Sequence, residues 1–124
     1  MNRESRLRER KRFEQVRREG ICWTDRLIVL CALPNGLERS RYGFSVSRRV
    51  GNAVVRNRLK RRLREIVRLQ REGIAVGWDV VFIARPPIAR ADYPQIERAV
   101  GRLLRQAGLV LPMAIQLGAK DAVA

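Results

Sequence analysis

Apolar residues near the start of the chain recur with helical spacing and predict a first helix over residues 5–19. Leu7, Phe13 and Val16 lie on its apolar stripe. Ser5 is suited to cap its N-terminus, and Gly20 is a natural stop. We therefore expect an amphipathic helix that packs on the fold by one side.

The following segment predicts strands. ICWTDRLIVLCAL (21–33) is rich in β-forming residues and predicts one strand with a possible kink at its Thr-Asp pair, before the turn signal Pro-Asn-Gly at 34–36. RYGFSVS (41–47) alternates strictly, which predicts a half-buried strand. Its outer face would carry only small residues, so another chain can approach it closely, although simple solvation explains the pattern equally well. The inner face carries Tyr42, Phe44 and Val46, and the outer face carries Gly43, Ser45 and Ser47.

The second half of the chain predicts helix, strand and helix. Asn52 is placed to cap a helix that runs from Ala53 to about Arg71 and is closed by Gly73. WDVVFIARPP (78–87) is a continuous apolar run of strand length, buried on both faces and ended by prolines. A second amphipathic helix is predicted from Tyr93 to Gln106, ended by Gly108, with an inward face of Ile96, Val100, Leu103 and Leu104.

These elements predict one α+β domain. Their order is α-β-β-(β)-α-β-α, where the bracketed strand allows for a split of the first one, and the arrangement is a two-layer α-β sandwich. Residues 1–108 form the domain, and residues 109–124 are expected to be a poorly ordered C-terminal tail or a short extra turn. The chain of 124 residues, 46% of them hydrophobic, is long enough for a modest core.

Charge changes this picture from a generic domain to one that binds polyanions. Lys and Arg number 27 against 12 Asp and Glu, a net charge of +15. Nucleic acid is the usual partner of such a protein. Nearly all the cations are arginines, which suit bidentate phosphate contacts, although a GC-rich genome would produce the same bias.

Cys22 and Cys31 are the only cysteines, so neither a disulfide framework nor a zinc site is indicated, and reduced thiols in a cytoplasmic protein are expected. The N-terminus has no apolar segment of the kind found in signal peptides. The longest apolar run, LIVLCAL, is too short to span a bilayer. No membrane partner is predicted.

The helix after Asn52 sorts into two faces at 100° per residue. Its apolar arc should pack on the sheet, and the opposite side is almost purely cationic. Ten basic residues and a single acid, Glu65, fall between residues 48 and 71. A merely solvated face would gain from interspersed acids, so a polyanion ligand explains the pattern better than solvation does. The arc comprises Val55, Leu59, Leu63, Ile66 and Leu69; the opposite stripe comprises Asn57, Lys60, Arg61, Arg64 and Arg68, flanked by Arg56 and Arg58.

Catalytic constellations are missing from the sequence. The absence of histidine excludes Ser-His, Cys-His and His-metal chemistry. The acids are scattered, and Asp79 and Glu97 are expected to serve solubility or capping. No catalytic residue, metal ligand or small-molecule substrate is predicted for the polypeptide itself.

The stretch YGFSVSRRVGNAVVRNRLKRRLRE (42–65) resembles the signature of the bacterial ribonuclease P protein component. RLRERKRFEQVRREG (6–20) and DVVFIARPP (79–87) resemble other parts of that family, and the likeness covers roughly residues 5–109. It implies a fold like the second domain of ribosomal protein S5, with a left-handed βαβ crossover that breaks the usual rule.

The resemblance also implies a function. The protein would join a catalytic RNA in a ribonucleoprotein endoribonuclease that removes the 5′ leader of precursor tRNA. Catalysis would belong to the RNA and to Mg²⁺ held mainly by it. The catalytic RNA would contact Arg48, Arg49, Asn52, Arg56, Asn57, Arg58, Lys60, Arg61, Arg64 and Arg68, and the leader would contact Phe13, Arg17, Gly43, Ser45 and Ser47.

The sequence departs from the family pattern at two positions. A channel aromatic common one turn after Phe13 is replaced by Arg17, and a strand tyrosine falls at Cys31. The main alternative is a ribosome-type structural RNA-binding protein, which would share fold and charge but need no open channel. A DNA-binding regulator is disfavoured because no helix-turn-helix pattern is present. A basic membrane-surface helix is disfavoured because its apolar side is needed for the core.

Overall fold

The computed structural model describes residues 6–111, which form three helices and one mixed four-stranded sheet of order β1-β2-β4-β3. β1 and β2 are antiparallel, as are β2 and β4, whereas β3 and β4 are parallel and joined through α2. The α+β class and the element order are as predicted. The elements are α1 Arg10–Glu19, β1 Ile21–Thr24, β2 Ile28–Pro34, β3 Arg41–Ser45, α2 Ala53–Gln70, β4 Trp78–Ala84 and α3 Tyr93–Gln106.

The prediction of a single strand over 21–33 is wrong. These residues form the two strands of the β1–β2 hairpin, which is the split that the predicted element order allowed for. The backbone N–H of Asp25 donates to the Ile28 carbonyl over 2.8 Å and closes the turn. The pairing places Cys22 directly opposite Cys31, and their Sγ atoms are bonded. The expectation of two reduced thiols is therefore also wrong, since a one-strand interpretation does not bring these positions together.

The main core lies between the sheet and the pair α2 and α3. All four residues predicted to point inward from α3 are fully buried, and so are Leu59, Leu63 and Ile66 of α2. Leu69 is 61% exposed, against the prediction, whereas Val67 is fully buried. Leu69 lies about 80° from Leu59 around the helix, so a core face turned toward Val67 leaves it in solvent. β4 is central and buried on both faces over most of its length, as predicted.

Helix α1 packs on the opposite face of the sheet. Its contact is a second, smaller apolar cluster of Leu7, Val16, Cys31 and Val81, with Phe13 against its edge. The two-layer description therefore fits the sheet with α2 and α3, and α1 adds a partial third layer.

Helix α1 is shorter than predicted. It begins at Arg10, and the predicted cap Ser5 lies outside the described residues. Residues 6 and 7 are extended because the Leu7 N–H donates to the Tyr42 carbonyl over 2.9 Å, on the free edge of β3, instead of entering a helix. Gly20 does end the helix, in an extended conformation, and sits so close to β2 that a Cβ atom would be 2.5 Å from the Ala32 carbonyl oxygen.

The end of α3 continues into ordered chain. Gly108 adopts φ +70°, so it ends the helix as predicted. Leu109 is buried, and Val110 forms a bridge with Ile74. Residues 112–124, most of the predicted tail, lie outside the described residues. Within residues 6–111 no helix is both long and apolar enough to cross a membrane.

Candidate nucleic-acid interface

Helix α2 begins as the sequence predicts. The Asn52 side chain accepts a hydrogen bond from the Val55 N–H over 3.0 Å, which satisfies one of the free donors of the first turn. Because this side-chain oxygen is used for capping, Asn52 serves first to orient the helix. Arg48 and Arg49 are exposed in the turn before it.

The cationic face of α2 is open to solvent along most of its length. Asn57, Arg58, Arg61 and Arg68 are exposed, while Arg56, Lys60 and Arg64 are half-buried. A shallow depression of about 410 Å³ runs along this face and is lined by Val54, Asn57, Lys60, Arg61 and Arg64. The predicted stripe is therefore one continuous surface, here called the α2 cationic face and made of the residues from Arg56 to Arg68 named above.

Arg68 differs from the other cations of this face. Its Nη2 donates to Glu65 Oε1 over 2.7 Å, and its Nε donates to Oε2 over 3.1 Å. The hydrogen bond with Arg68 lowers the pKa of Glu65, and the same bond raises the pKa of Arg68. This end of the α2 cationic face is therefore partly neutralised, and its uncompensated charge lies toward the N-terminal half of the helix.

A groove opens between α1 and α2 over the edge strand β3. Its first part is a cavity of about 420 Å³ whose described lining carries four cations and no carboxylate. Burial lowers the pKa of Arg64, and the positive charges of Arg6 and Arg8 lower it further. Such crowding of like charges favours an anionic occupant. The cavity is lined by Arg6, Leu7, Arg8, Phe13, Tyr42, Gly43, Phe44, Lys60 and Arg64.

The floor of this groove is formed by the aromatic ring of Phe13, which lies against Gly43. A Cβ atom at Gly43 would be 2.8 Å from Cε2 of Phe13, so the ring lies against the bare backbone of β3. Phe44, the next residue, stacks on Phe82 with ring centroids 5.5 Å apart and an interplanar angle of 11°. Two aromatic side chains thus border the groove: Phe13 on the face of β3 that carries Gly43, and Phe44 on the opposite face.

The second part of the groove is a cavity of about 390 Å³ that shares Arg8, Phe13, Phe44 and Lys60 with the first. It brings in two further predicted residues, Arg17 and Ser45. Ser47 is exposed in the turn beyond β3, and the lining of both cavities stops at Val46. The full lining of this part is Arg8, Arg10, Phe13, Glu14, Arg17, Phe44, Ser45, Val46 and Lys60.

Several groove residues were missed by the sequence argument. The sequence places Phe44 on the inner face of its strand. Because β3 is an edge strand, however, residues on both of its faces are accessible from the groove beside it, and Phe44 lines that groove. Arg6 and Arg8 were placed in the first helix, whereas they precede it and lie near Arg64. The run of alternating cations before Phe13 is the signal from which an extended segment could have been inferred.

Asp79 is also misassigned by the sequence, which predicted a solubility or capping role. It is fully buried at the start of β4 and accepts hydrogen bonds from Arg12, Asn35 and Arg41. Burial raises its pKa, but the hydrogen bonds from Arg41, Asn35 and Arg12 outweigh this and hold the pKa below its ordinary value. The carboxylate therefore stays charged inside the fold.

No group of three or more acidic or cysteine side chains in residues 6–111 is arranged to hold a metal ion. Asp79, the buried acid, is surrounded by cationic and amide donors and so offers a metal no free oxygen. What the described side chains provide is a cationic surface and a groove.

Comparison with known proteins gives one consistent result. The family model described as Ribonuclease P matches residues 1–108. The ribonuclease P protein component of Roseiflexus castenholzii is 50% identical over 111 residues, covering 89% of this chain and 91% of that protein. That of Herpetosiphon aurantiacus is 45% identical over 109 residues, covering 88% and 89%.

Solved structures agree with this result. The ribonuclease P protein of Staphylococcus aureus superimposes with a TM-score of 0.80 at 29% identity, covering 86% of this chain and 97% of that one. The Thermotoga maritima protein gives a TM-score of 0.75 at 34% identity, covering 82% and 96%. The fold and the order of its elements are therefore shared with these proteins.

Proposed function

Because the chain belongs to the bacterial ribonuclease P protein family, we propose that its α2 cationic face docks on the catalytic RNA and that the groove between α1 and α2 binds the 5′ leader of precursor tRNA. Membership makes it the protein component of a ribonucleoprotein endoribonuclease that takes part in the 5′ maturation of precursor tRNA. It also implies association with the ribonuclease P RNA.

Docking through α2 is supported by the uniform charge of an exposed, rigid surface. Arginines there can bind phosphates in a bidentate manner, and the half-buried Lys60 adds a point charge. Asn57 lies in the same depression and can donate to a phosphate or accept from a 2′-hydroxyl. Because the helix is capped and packed along its apolar side, the backbone that carries these groups is held in place before RNA binds.

Leader binding is carried by one observation: the ring of Phe13 lies on Gly43 beneath a cavity rimmed by Arg6, Arg8, Lys60 and Arg64. An aromatic floor with cationic walls suits single-stranded nucleic acid, since bases stack on the ring while phosphates meet the cations. Where relatives often carry a second aromatic, Arg17 lines the groove and supplies a guanidinium that stacks or binds phosphate. Ser45 leaves room for a backbone on the floor.

The division of labour between protein and RNA follows from these surfaces. We propose that the protein holds the leader and neutralises phosphate repulsion where the two RNAs meet, which strengthens the affinity of the complex for Mg²⁺. Because the described residues do not fit a metal site, we assign Mg²⁺ mainly to the RNA. The left-handed β3–α2–β4 crossover, the single domain over 1–108 and the cytoplasmic location stay predictions of the sequence.

The ribosome-type alternative is disfavoured by the groove. A structural RNA binder with this fold needs the α2 cationic face but no aromatic floor between two rows of cations. The open space above Phe13 and Gly43 has a use in a protein that holds a single strand.

The test is reconstitution with a bacterial ribonuclease P RNA at limiting Mg²⁺, with cleavage of precursor tRNA as the readout. We expect the intact protein to stimulate cleavage and Arg56→Ala with Arg58→Ala to lose most of that stimulation. Arg98→Ala with Arg105→Ala is the matched control, because it removes two exposed arginines from α3 instead. Equal loss in both double variants would show that net charge, and not the α2 cationic face, accounts for docking.

A further inference from the structure

We propose that Asp79 is a positioning residue for the leader groove: its carboxylate binds Arg12 of α1 and Arg41 of β3 together and thereby holds Phe13 over Gly43. This inference rests on the proposed leader-binding function. It gives a buried acid, for which the sequence suggested only solubility or capping, a definite part in RNA binding.

The carboxylate is fully engaged. Arg12 Nε donates to Oδ2 over 2.6 Å, and Arg41 donates to Oδ2 through Nη2 over 2.7 Å and to Oδ1 through Nε over 2.8 Å. Asn35 Nδ2 donates to Oδ1 over 3.0 Å. The Asp79 side chain has no exposed surface, and those of Arg12 and Arg41 are 18% and 25% exposed. One buried anion thus joins three separate segments of the chain.

Helix α1 has few other attachments. It is ten residues long, its N-terminus has no side-chain cap, and Val16 is its one buried residue. A helix of this length is marginal by itself in water. Arg12 also donates to the Pro34 carbonyl over 3.0 Å, so this one side chain gives α1 polar contacts with both β4 and the end of β2, in addition to the apolar packing of Val16. We therefore expect the orientation of α1 to depend strongly on Arg12 and Asp79.

The two arginines lie next to the two residues that form the groove floor. Arg12 precedes Phe13 directly, and Arg41 lies two residues before Gly43 on the same face of β3. The contact they fix is tight, since even a Cβ atom at Gly43 would be within 2.8 Å of the ring. A small shift of α1 would therefore move the ring off the strand and change the shape of the groove.

A purely stabilising role is the alternative. Buried ion pairs are weak evidence for stability, because the cost of removing charges from water offsets much of their attraction. If stability were the whole role, a weakened variant that is still folded would bind every RNA ligand as the parent does. If Asp79 positions α1, the same variant would lose affinity only for ligands that enter the groove.

The experiment compares Arg12→Ala with Lys11→Ala. Both remove one positive charge from α1, and neither residue lines either cavity, but Arg12 donates to Asp79 whereas Lys11 is exposed. Each full-length variant, and Asp79→Asn, is assembled with ribonuclease P RNA below its melting temperature. Affinity is measured for precursor tRNA with a long leader and for one with the leader trimmed to a single nucleotide. The amide resonance of Gly43, which the Phe13 ring current shifts, reports the position of the ring without RNA.

We expect Arg12→Ala and Asp79→Asn to shift the Gly43 amide and to reduce the preference for the long leader by about tenfold, the value of roughly one stacked base. Lys11→Ala should leave the amide in place and keep most of the preference. Arg12→Lys, which restores a cation beside the carboxylate, should recover part of both signals.

Two outcomes would overturn the proposal, and they are distinguishable. An unchanged Gly43 amide resonance in Arg12→Ala would show that the Arg12–Asp79 pair does not position Phe13, even if the affinity for RNA changed. A parent protein without any preference for the long leader would overturn the proposed leader-binding function, and the role of Asp79 in it would be lost at the same time.

Discussion

Phe13 and Gly43 are in contact across the groove floor, with the ring so close that a Cβ atom on the glycine would be 2.8 Å from its Cε2. The glycine is therefore part of the groove floor, because its missing side chain is what allows the ring to lie on the strand. Gly43 is in β3 and does not have a positive φ, so the backbone itself would accept another residue. This separates the effect of a side chain on the groove from an effect on the strand.

We expect Gly43→Ala to weaken binding of long-leader precursor tRNA by about five- to tenfold while leaving affinity for the catalytic RNA unchanged, because the methyl group displaces the ring on which a base stacks. Equilibrium binding of precursor tRNA to the assembled complex measures the first affinity, and titration of the catalytic RNA with the protein measures the second. Gly101→Ala is the control: its Cβ would meet the Arg105 Nη1 atom at 3.3 Å, at the mobile end of a side chain, and alanine favours the helix. If Gly43→Ala bound the leader as tightly as the parent protein does, Phe13 would not be part of the leader-binding surface.

Asp79 also predicts how stability depends on pH. Its pKa lies below the ordinary value of 3.8, because hydrogen bonds from Arg41, Asn35 and Arg12 outweigh the opposing effect of burial. A group whose pKa is depressed by folding adds stability that is complete above its unfolded pKa and is lost as the pH falls through the folded one. The contribution of this carboxylate should therefore be full at neutral pH and decrease progressively as the pH falls below 3.8.

The corresponding measurement is denaturant unfolding of the parent and Asp79→Asn across this range. At neutral pH we expect Asp79→Asn to lose about 3 kcal/mol of unfolding free energy, since the change leaves two arginines beside a neutral group. The difference between the two proteins should shrink as the pH falls below 3.8. A difference that stays constant down to strongly acidic pH would mean that the charge of Asp79 contributes nothing to stability.

The Cys22–Cys31 bond predicts a dependence on reducing agents. It closes a short loop, with the two residues nine positions apart, and loop closure on this scale contributes about 2–3 kcal/mol by restricting the unfolded chain. We expect reduction, or Cys22→Ala with Cys31→Ala, to lower the unfolding free energy by about that amount. Thiol titration of the denatured, unreduced protein should find no free thiol. Two reactive thiols in that assay would show that the hairpin is held by strand pairing alone.

Which features a sequence predicts depends on how far apart in the chain the interacting residues lie. Helix α3 has the predicted bounds because its signals are local: Asp92 and Gln95 form a capping box, and Gly108 takes the left-handed conformation that ends it. The hairpin was missed because a strand pair is defined by its partner, which ICWTDRLIVLCAL does not reveal. Leu69 was misassigned because regular spacing fixes the shape of a helix but not how far it rotates against its neighbours.

The same distinction between local and long-range interactions separates the parts of the candidate site that the sequence predicts from those that it does not. The α2 cationic face was predicted residue by residue, since one helix carries it and periodicity alone sorts its faces. The groove was only partly predicted, because it depends on α1 lying beside β3. Asp79 was not assigned to it: its partners Arg12 and Arg41 are 67 and 38 positions away in the chain. A buried ion pair between such distant residues leaves no pattern in a single sequence.

The α2 cationic face predicts a steep loss of RNA affinity with rising salt, because each phosphate it neutralises releases counterions. Arg61 is exposed and lines the central depression with Lys60 and Arg64. We expect Arg61→Ala to reduce the slope of log affinity against log salt concentration by about one, the share of a single phosphate contact. Arg98→Ala, which removes an exposed arginine from α3, should leave the slope unchanged. Titrations of the catalytic RNA at several salt concentrations measure both slopes. The same slope in parent and Arg61→Ala would place the RNA on a surface other than α2, and an equal reduction in Arg98→Ala would show that net charge, and not the α2 cationic face, determines the slope.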